Sequence, residues 1–299
     1  MAYRNVFIAS QARIHCKNEQ LIIDTDKEYS VPIEDISCLI IEELRCTITA
    51  FTLSKLSETG TTVLICDKKH LPTGVLMPLN RHSRQKKVIR NQLEQSKPFI
   101  KRLWQQIVKS KILNQGKCLN LSNKDGIEKM TAYSDLVKSG DIDNVEAKAA
   151  RYYFKKLFGK NFSRGQDNCI NAALNYGYAI LRGCIARQLA SYGFETTFGI
   201  NHFNEQNNFN LADDLIEPFR SIIDLYVSNS IDGEEETLTP YMKQQIFNLL
   251  NCSIISESQK HSVAYAIERT VKSLSTCFTN KSGQLILPEL IQLKQHEYE

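Results

Sequence analysis

The 299-residue chain has no apolar run near the roughly 18–20 residues that a membrane-spanning helix needs. Its start, Met1-Ala2-Tyr3-Arg4-Asn5-Val6, lacks the apolar stretch and small-residue cleavage site of a secretory leader, so the cytoplasm is the expected location. Cysteine spacing suited to zinc is missing. The nine cysteines, at 16, 38, 46, 66, 118, 169, 184, 252 and 277, form no C-x-x-C pair and no Cys/His cluster. An odd, scattered set of this kind fits free thiols packed as small hydrophobes in a reducing compartment. There is no G-x-x-x-x-G-K-[ST] loop, no G-x-G-x-x-G turn and no G-x-S-x-G elbow, so the common nucleotide-binding and serine-hydrolase readings lose their main support. A large net charge is missing as well: 37 Lys and Arg against 33 Asp and Glu leave +4, too little by itself to argue for nucleic acid. What remains is an ordinary globular composition, 42% hydrophobic and 23% charged, with length for one large domain or two ordinary ones.

Two kinds of chain follow one another. Over the first 75 residues, Val6-Phe7-Ile8, Gln20-Leu21-Ile22-Ile23, Ser30-Val31-Pro32-Ile33, Ile36-Ser37-Cys38-Leu39-Ile40-Ile41 and Thr61-Thr62-Val63-Leu64-Ile65-Cys66 read as strands separated by polar turns. Apolar residues at 50, 53 and 56 with a stop at Gly60 predict a short helix among them. Beyond Pro78 the period changes. Ser96 and Pro98 mark a helix start, Ile100, Leu103, Trp104, Ile107 and Val108 recur at helical spacing, and Gly116 is the expected stop. Further helical patterns cover 126–138, 143–158, 167–190, 211–229, 239–251 and 257–276. The expectation is an α+β chain: a small β-rich domain over 1–75, a basic linker over 76–95 and a larger all-α domain over 96–299.

The small net charge conceals two opposed segments. From Arg81 to Lys111 ten basic residues, including Arg84, Lys86, Lys87, Arg90, Lys101 and Arg102, face only Glu94; this +9 within a total of +4 leaves −5 elsewhere. A solvated helix face normally mixes both signs, so a run of nearly one sign suits a phosphate backbone. Residues 201–236 carry nine acids and one base, Arg220, for −8. The acids at 232–236 read as a solvated loop, whereas those at 213–217 lie inside an apolar-periodic segment.

In that segment, Asn210-Leu-Ala-Asp-Asp-Leu-Ile-Glu-Pro-Phe-Arg220, Asn210 is a candidate N-cap, and Asp214 and Glu217 share a helix face at i,i+3. Two such carboxylates repel unless a cation or a shared proton lies between them. Pro218 removes a backbone donor beside Glu217, so a kink is expected there. His202 stands twelve residues before Asp214 in a polar loop. Glu146 opens another helix, where Asp143 can cap and Glu146 would be the capping-box residue; Ala149, Ala150 and Tyr153 share its side and let another element approach. Between them, Asp167, Asn171, Asn175, Tyr178 and Arg182 keep helical spacing as a polar stripe that either orients a metal site, holds phosphates or bonds to neighbouring helices. Gly177 permits close helix packing.

Taken in order, Val145-Glu-Ala-x-Ala-Ala-Arg151, Asp167-x-x-x-Asn-Ala-Ala-Leu-Asn-Tyr-Gly-Tyr178, His202 and Leu211-Ala-Asp-Asp-Leu-Ile-Glu-Pro-Phe-Arg220 resemble the CRISPR adaptation integrases, the Cas-one endonuclease family. The resemblance is dense over about 141–229, and the length and motif form look most like the type II branch. It implies that Glu146, His202 and Glu217 hold a metal and act in catalysis, that Asp214 supports them, and that Asn175 and Tyr176 belong to a segment near the DNA. It implies a homodimer paired through its β domains, a complex with the Cas-two adaptation protein, contact with double-stranded DNA and, in the type II branch, with other CRISPR proteins. One imidazole and two carboxylates suit Mg²⁺ or Mn²⁺, the imidazole favouring Mn²⁺. The implied chemistry inserts short DNA fragments into a CRISPR array by attack of a 3′-hydroxyl on a phosphodiester, without ATP and without a protein nucleophile. Two other readings stay open: a noncatalytic DNA-binding assembly subunit, and a metal-dependent phosphodiesterase acting on a small molecule.

Overall fold

The structure is a computed structural model that describes residues 4–77, 82–231 and 237–297. Arg81 and the acidic run 232–236 lie outside the described residues. The chain divides into two compact units, 1–83 and 84–299.

The first unit is β-rich. Its strands are β1 Arg4–Ile8, β2 Arg13–Lys17, β3 Gln20–Asp24, β4 Glu28–Pro32, β5 Ile36–Ile41, β6 Thr47–Ile48, β7 Thr62–Cys66 and β8 Pro72–Val75, with helix α1, Ala50–Thr59, before β7. One sheet has the order β1-β5-β7-β8, the other β4-β3-β2-β6. In the first, β5 pairs in parallel with both β1 and β7. That central place explains its nearly continuous apolar sequence, since a strand flanked on both sides in a covered sheet buries both faces. Thr49 caps α1 by accepting from the Thr52 amide, and Gly60 ends it in the left-handed region at φ 84°. Ile14, Leu21, Leu39, Leu56 and Val63 form the fully buried centre of this unit.

The second unit is built on helices: α2 Gln85–Leu93, α3 Lys97–Leu121, α4 Ile127–Leu136, α5 Val145–Phe158, α6 Cys169–Ser191, α7 Asn210–Leu215, α8 Arg220–Ser230, α9 Pro240–Asn248 and α10 Val263–Asn280, with a hairpin of β9 Ser253–Ser256 and β10 Gln259–Ser262 before the last helix. The span expected as a linker therefore contains an element of this unit. Gln92 of α2 donates to the carbonyls of Glu195 and Phe198 and accepts from the Glu195 amide, tying α2 to the loop after α6. Ser96 caps α3 through the Phe99 amide. Gly116 does not stop α3. A Cβ there would lie 3.0 Å from the Met130 Cβ, so its absence lets α4 cross closely while α3 runs on to Leu121. The region expected as helix over 257–276 begins instead as a hairpin. Glu257 and Ser258 turn it with φ of 52° and 63°, and the helix starts only after Ser262 caps the Tyr265 amide.

None of the nine cysteines is in a disulfide, in line with their scattered spacing. No described helix is long and apolar enough to cross a membrane.

Gly177 sets the closest approach of α6 to α8: a Cβ there would meet Ile223 Cγ2 at 2.5 Å. That methyl is held at a branched Cβ, so the backbone would have to give. Gly177→Ala is expected to cost about 1–3 kcal/mol in denaturant unfolding, part of it recovered by adding Ile223→Ala. An unchanged midpoint would contradict this packing.

Candidate active site

Pro218 organises the centre of the helical unit. Helix α7 ends at Leu215, a 3-10 turn spans Glu217–Phe219, and α8 resumes at Arg220, as the missing donor of Pro218 predicts. The Pro218 carbonyl accepts from Asn114 Nδ2 of α3 at 2.8 Å. This break turns Glu217 inward, where it is 5% exposed and yet ionised. Burial raises its pKa, but the charges of Arg220 and Lys111 outweigh that and hold the carboxyl at about 2. Arg220 Nε lies 3.1 Å from Glu217 Oε1, with its guanidinium over the Tyr178 ring.

Glu146 stands in the first turn of α5, where the helix dipole favours a carboxylate. The expected capping box is absent. Asp141 caps this helix, accepting from the amides of Val145 at 2.9 Å and Glu146 at 3.0 Å, while exposed Asp143 pairs with Lys138. Glu146 is therefore released from capping and reaches inward. Its Oε1 is 2.5 Å from Lys111 Nζ, and the same ammonium is 2.5 Å from Glu217 Oε2. The two carboxylates thus converge on one cation position. Burial lowers the Lys111 pKa, and Glu217 and Glu146 more than reverse this, so the ammonium is held charged.

His202 comes from the loop between α6 and α7, which Asp214 holds from below. The buried Asp214 carboxylate accepts from the amides of Ile200, Asn201 (3.0 Å) and His202 (3.2 Å) and faces His202 Nδ1 at 2.7 Å. With Nδ1–H donating, Nε2 carries the ring's lone pair. The bond to Asp214 raises the His202 pKa, and the Glu217 charge adds to the rise. The ring is edge-on to Trp104, centroids 6.0 Å apart. Asn210 braces the same loop rather than capping α7: its Nδ2 donates to the carbonyls of Thr197 and Asn204, and Phe209 is the cap residue. Asp213 is drawn away, paired with Arg182 and Asn207.

The structure therefore brings Glu146 and Glu217 to one point and Asp214 under His202. Among the described residues no three His, Cys, Asp or Glu side chains are yet gathered as a metal cage. The donor types nevertheless fit a small hard divalent cation: two carboxylate oxygens share a cation position, and the His202 imidazole is close enough to feel the Glu217 charge. Asn175 is exposed and bonded to Arg164, whereas Tyr176 is fully buried and packs the core. The polar stripe on α6 turns mostly to its neighbours. Tyr178, together with Tyr153, donates to Asp224, whose carboxyl burial raises to about 6 despite those two bonds.

Of the expected DNA-contact residues, Arg84 is exposed just before α2, Lys86, Lys87 and Arg90 on it, and Lys101 and Arg102 on the start of α3. Lys111, counted by sequence in the same basic run, is buried in the site instead. A second basic face emerges only with the fold. Lys148, Arg151, Lys155, Lys156 and Lys160 are all exposed on or just after α5, the helix that carries Glu146. Its sequence signal is six bases and no acid over 147–164.

Asp214→Ala would strip the acceptor from three backbone amides. Hydrogen exchange at Ile200, Asn201 and His202 is expected to rise about tenfold or more, with about 1–3 kcal/mol of global destabilisation. Unchanged protection of these amides would contradict the role given to Asp214.

Comparison with known proteins agrees with the motifs. The family model described as CRISPR associated protein Cas1 matches residues 6–261. The CRISPR-associated endonuclease Cas1 of Neisseria meningitidis serogroup C (strain 8013) is 41% identical over 304 residues, covering 100% of both chains. A casposase solved bound to integration product superposes with a TM-score of 0.74 at 23% identity, over 96% of this chain and 93% of that one. The Cas6-RT-Cas1–Cas2 complex gives 0.69 at 20% identity, over 96% of this chain and 36% of that one. With a full-length relative at this identity and a family match over most of its length, the chain belongs to the CRISPR-associated Cas1 family.

Proposed function

We propose that this chain is a divalent-metal-dependent DNA endonuclease and integrase that inserts short DNA fragments into a CRISPR array. The observation that carries the reading is the convergence of Glu146 and Glu217 on one cation position. Its relatives add weight, being named as endonucleases of this family, and one structural neighbour is a casposase held with its integration product.

Glu146, His202 and Glu217 are the proposed ligands, and Mg²⁺ or Mn²⁺ the proposed ion. Bound there, such an ion supplies Lewis-acid polarisation of the phosphodiester and eases ionisation of the attacking hydroxyl. The chain's own part is preorganisation. Asp214 fixes the His202 tautomer and loop, Arg220 keeps Glu217 ionised, and Asp141 leaves Glu146 free to face the centre. In the proposed step the incoming 3′-oxygen forms a bond to the target phosphorus and the bond to the departing 3′-oxygen breaks. The hydroxyl proton ends on that departing oxygen. One phosphodiester is exchanged for another, so no ATP is consumed and no protein nucleophile is needed.

Exposed Arg84, Lys86, Lys87, Arg90, Lys101 and Arg102, with Arg81 by sequence, are the proposed backbone contacts, and the basic face of α5 extends them. Homodimerisation through the β-rich unit, a Cas2 partner and a type II setting belong to the same proposal; a neighbour assembled with Cas2 supports the partner.

Purified protein with its partner, 3′-hydroxyl DNA and a plasmid bearing leader and repeat gives the test. Glu146→Ala and Glu217→Ala are each expected to lower strand joining by about 100-fold or more. Joining that survives both would refute the site, and DNA binding without joining under any divalent metal would favour an assembly subunit. Replacing Lys86 and Lys87 by Ala is expected to reduce the slope of log affinity against log salt by about 0.9 for each phosphate no longer neutralised. An unchanged slope removes α2 from the interface.

A further inference from the structure

Lys111 has no part in the function proposed above. It lies midway along α3, between Val108 and Ile112, which are both fully buried, and is itself 9% exposed. A lysine aimed into a helical core is costly unless paired. Here its ammonium is 2.5 Å from Glu146 Oε1 and 2.5 Å from Glu217 Oε2, so it touches one oxygen of each proposed metal ligand. Arg220 does not duplicate it. Arg220 approaches the other oxygen of Glu217, at 3.1 Å, and is stacked on Tyr178. Lys111 is the group that joins α3, α5 and the 3-10 turn electrostatically.

This geometry is mutually exclusive with a shared divalent ion. An ion held by Glu146 and Glu217 would compete for the oxygens that the ammonium now contacts, and two positive charges there would repel. The ammonium has to retract before the ion can bridge. A four-carbon stem on a rigid helix allows such retraction, because its charged end moves while its root stays packed.

Resting on the ligand assignment proposed above, we infer that Lys111 is a built-in placeholder cation: it holds Glu146 and Glu217 together until a divalent ion displaces it, and so sets the site's metal affinity. The placeholder has two effects of opposite sign. It removes carboxylate repulsion from the metal-free fold, and it competes with the metal for the same oxygens. Once displaced, its charge would still be carried by a stem rooted beside the two carboxylates, where it would favour an anionic substrate. Metal and DNA are thereby expected to bind with positive coupling.

Two measurements on the full chain without DNA test this: Mn²⁺ binding by electron paramagnetic resonance titration, and thermal unfolding in chelator and in Mn²⁺. Lys111→Met and Lys111→Gln remove the charge; Lys111→Arg keeps it. Both neutral variants are expected to bind Mn²⁺ about tenfold or more tightly than the parent. They are also expected to melt lower in chelator and to gain more from Mn²⁺. Lys111→Arg should stay close to the parent in both. If the neutral variants bind Mn²⁺ with unchanged or lower affinity, while Glu217→Ala abolishes binding, the placeholder role is overturned and the metal site stands. If Glu217→Ala leaves Mn²⁺ binding intact in parent and neutral variants alike, the ligand assignment itself fails, and this inference with it. Gln retains polarity where Met does not, so a misfolded Met variant does not protect the inference.

Discussion

Two carboxylates inside a helical core cannot remain ionised side by side without a cation between them. The helical unit is arranged around this constraint. Glu146 arrives from α5 and Glu217 from the turn before α8, and the ammonium of Lys111 from α3 lies against both. Arg220 supports Glu217 from its other side. Remove positive charge from that point and one carboxyl must take a proton or turn outward. The charge that keeps the fold together is also the charge a metal ion would replace, so stability and chemistry meet at one position.

The surrounding structure serves to aim these groups. Pro218 breaks the helix so that Glu217 faces inward, and its carbonyl is retained by Asn114. Asp141 takes over the cap of α5 and leaves Glu146 free. Asp214 gathers three amides and an imidazole, converting a polar loop into a fixed platform for His202. Behind them, Gly177 brings α6 against Ile223 of α8, and Tyr153 and Tyr178 satisfy Asp224 deep in the core. Long, exposed basic side chains on α2 and α5 lie on the same unit, where a phosphate backbone would be held by charge and not by shape.

Much of this is legible in the residues. Strands at 6–8, 20–23, 36–41 and 62–66 are marked by β-branched runs, and the switch of period beyond 78 marks the second unit. The kink at Pro218 and the closeness at Gly177 follow from local rules, whereas a supporting role for Asp214 beside His202 comes only from the family resemblance. What stays hidden depends on tertiary choice. Only Asp143 stands out as a cap in the sequence; the left-handed turns at Asp141 and Asn144 bring Asp141, four residues before Val145, onto the first amides of α5 instead. Gly116 reads as a stop until α4 is seen to need the space. Lys111 counts by charge with its basic neighbours, although its spacing from Trp104, Ile107 and Val108 continues the apolar stripe of α3; that phase is the available signal, and which acids it meets depends on tertiary structure. The β9–β10 hairpin is masked because its short alternating strands lie directly against a strong helix pattern.

The central claim is that one cation position links Glu146, His202 and Glu217. It is tested most directly by anomalous diffraction from a crystal of this protein soaked in Mn²⁺. The account predicts a manganese peak within coordination distance of Glu146, His202 Nε2 and Glu217, with the Lys111 ammonium withdrawn from between the carboxylates. A Mn²⁺-saturated crystal with no peak there and the ammonium still bridging Glu146 and Glu217 would contradict it.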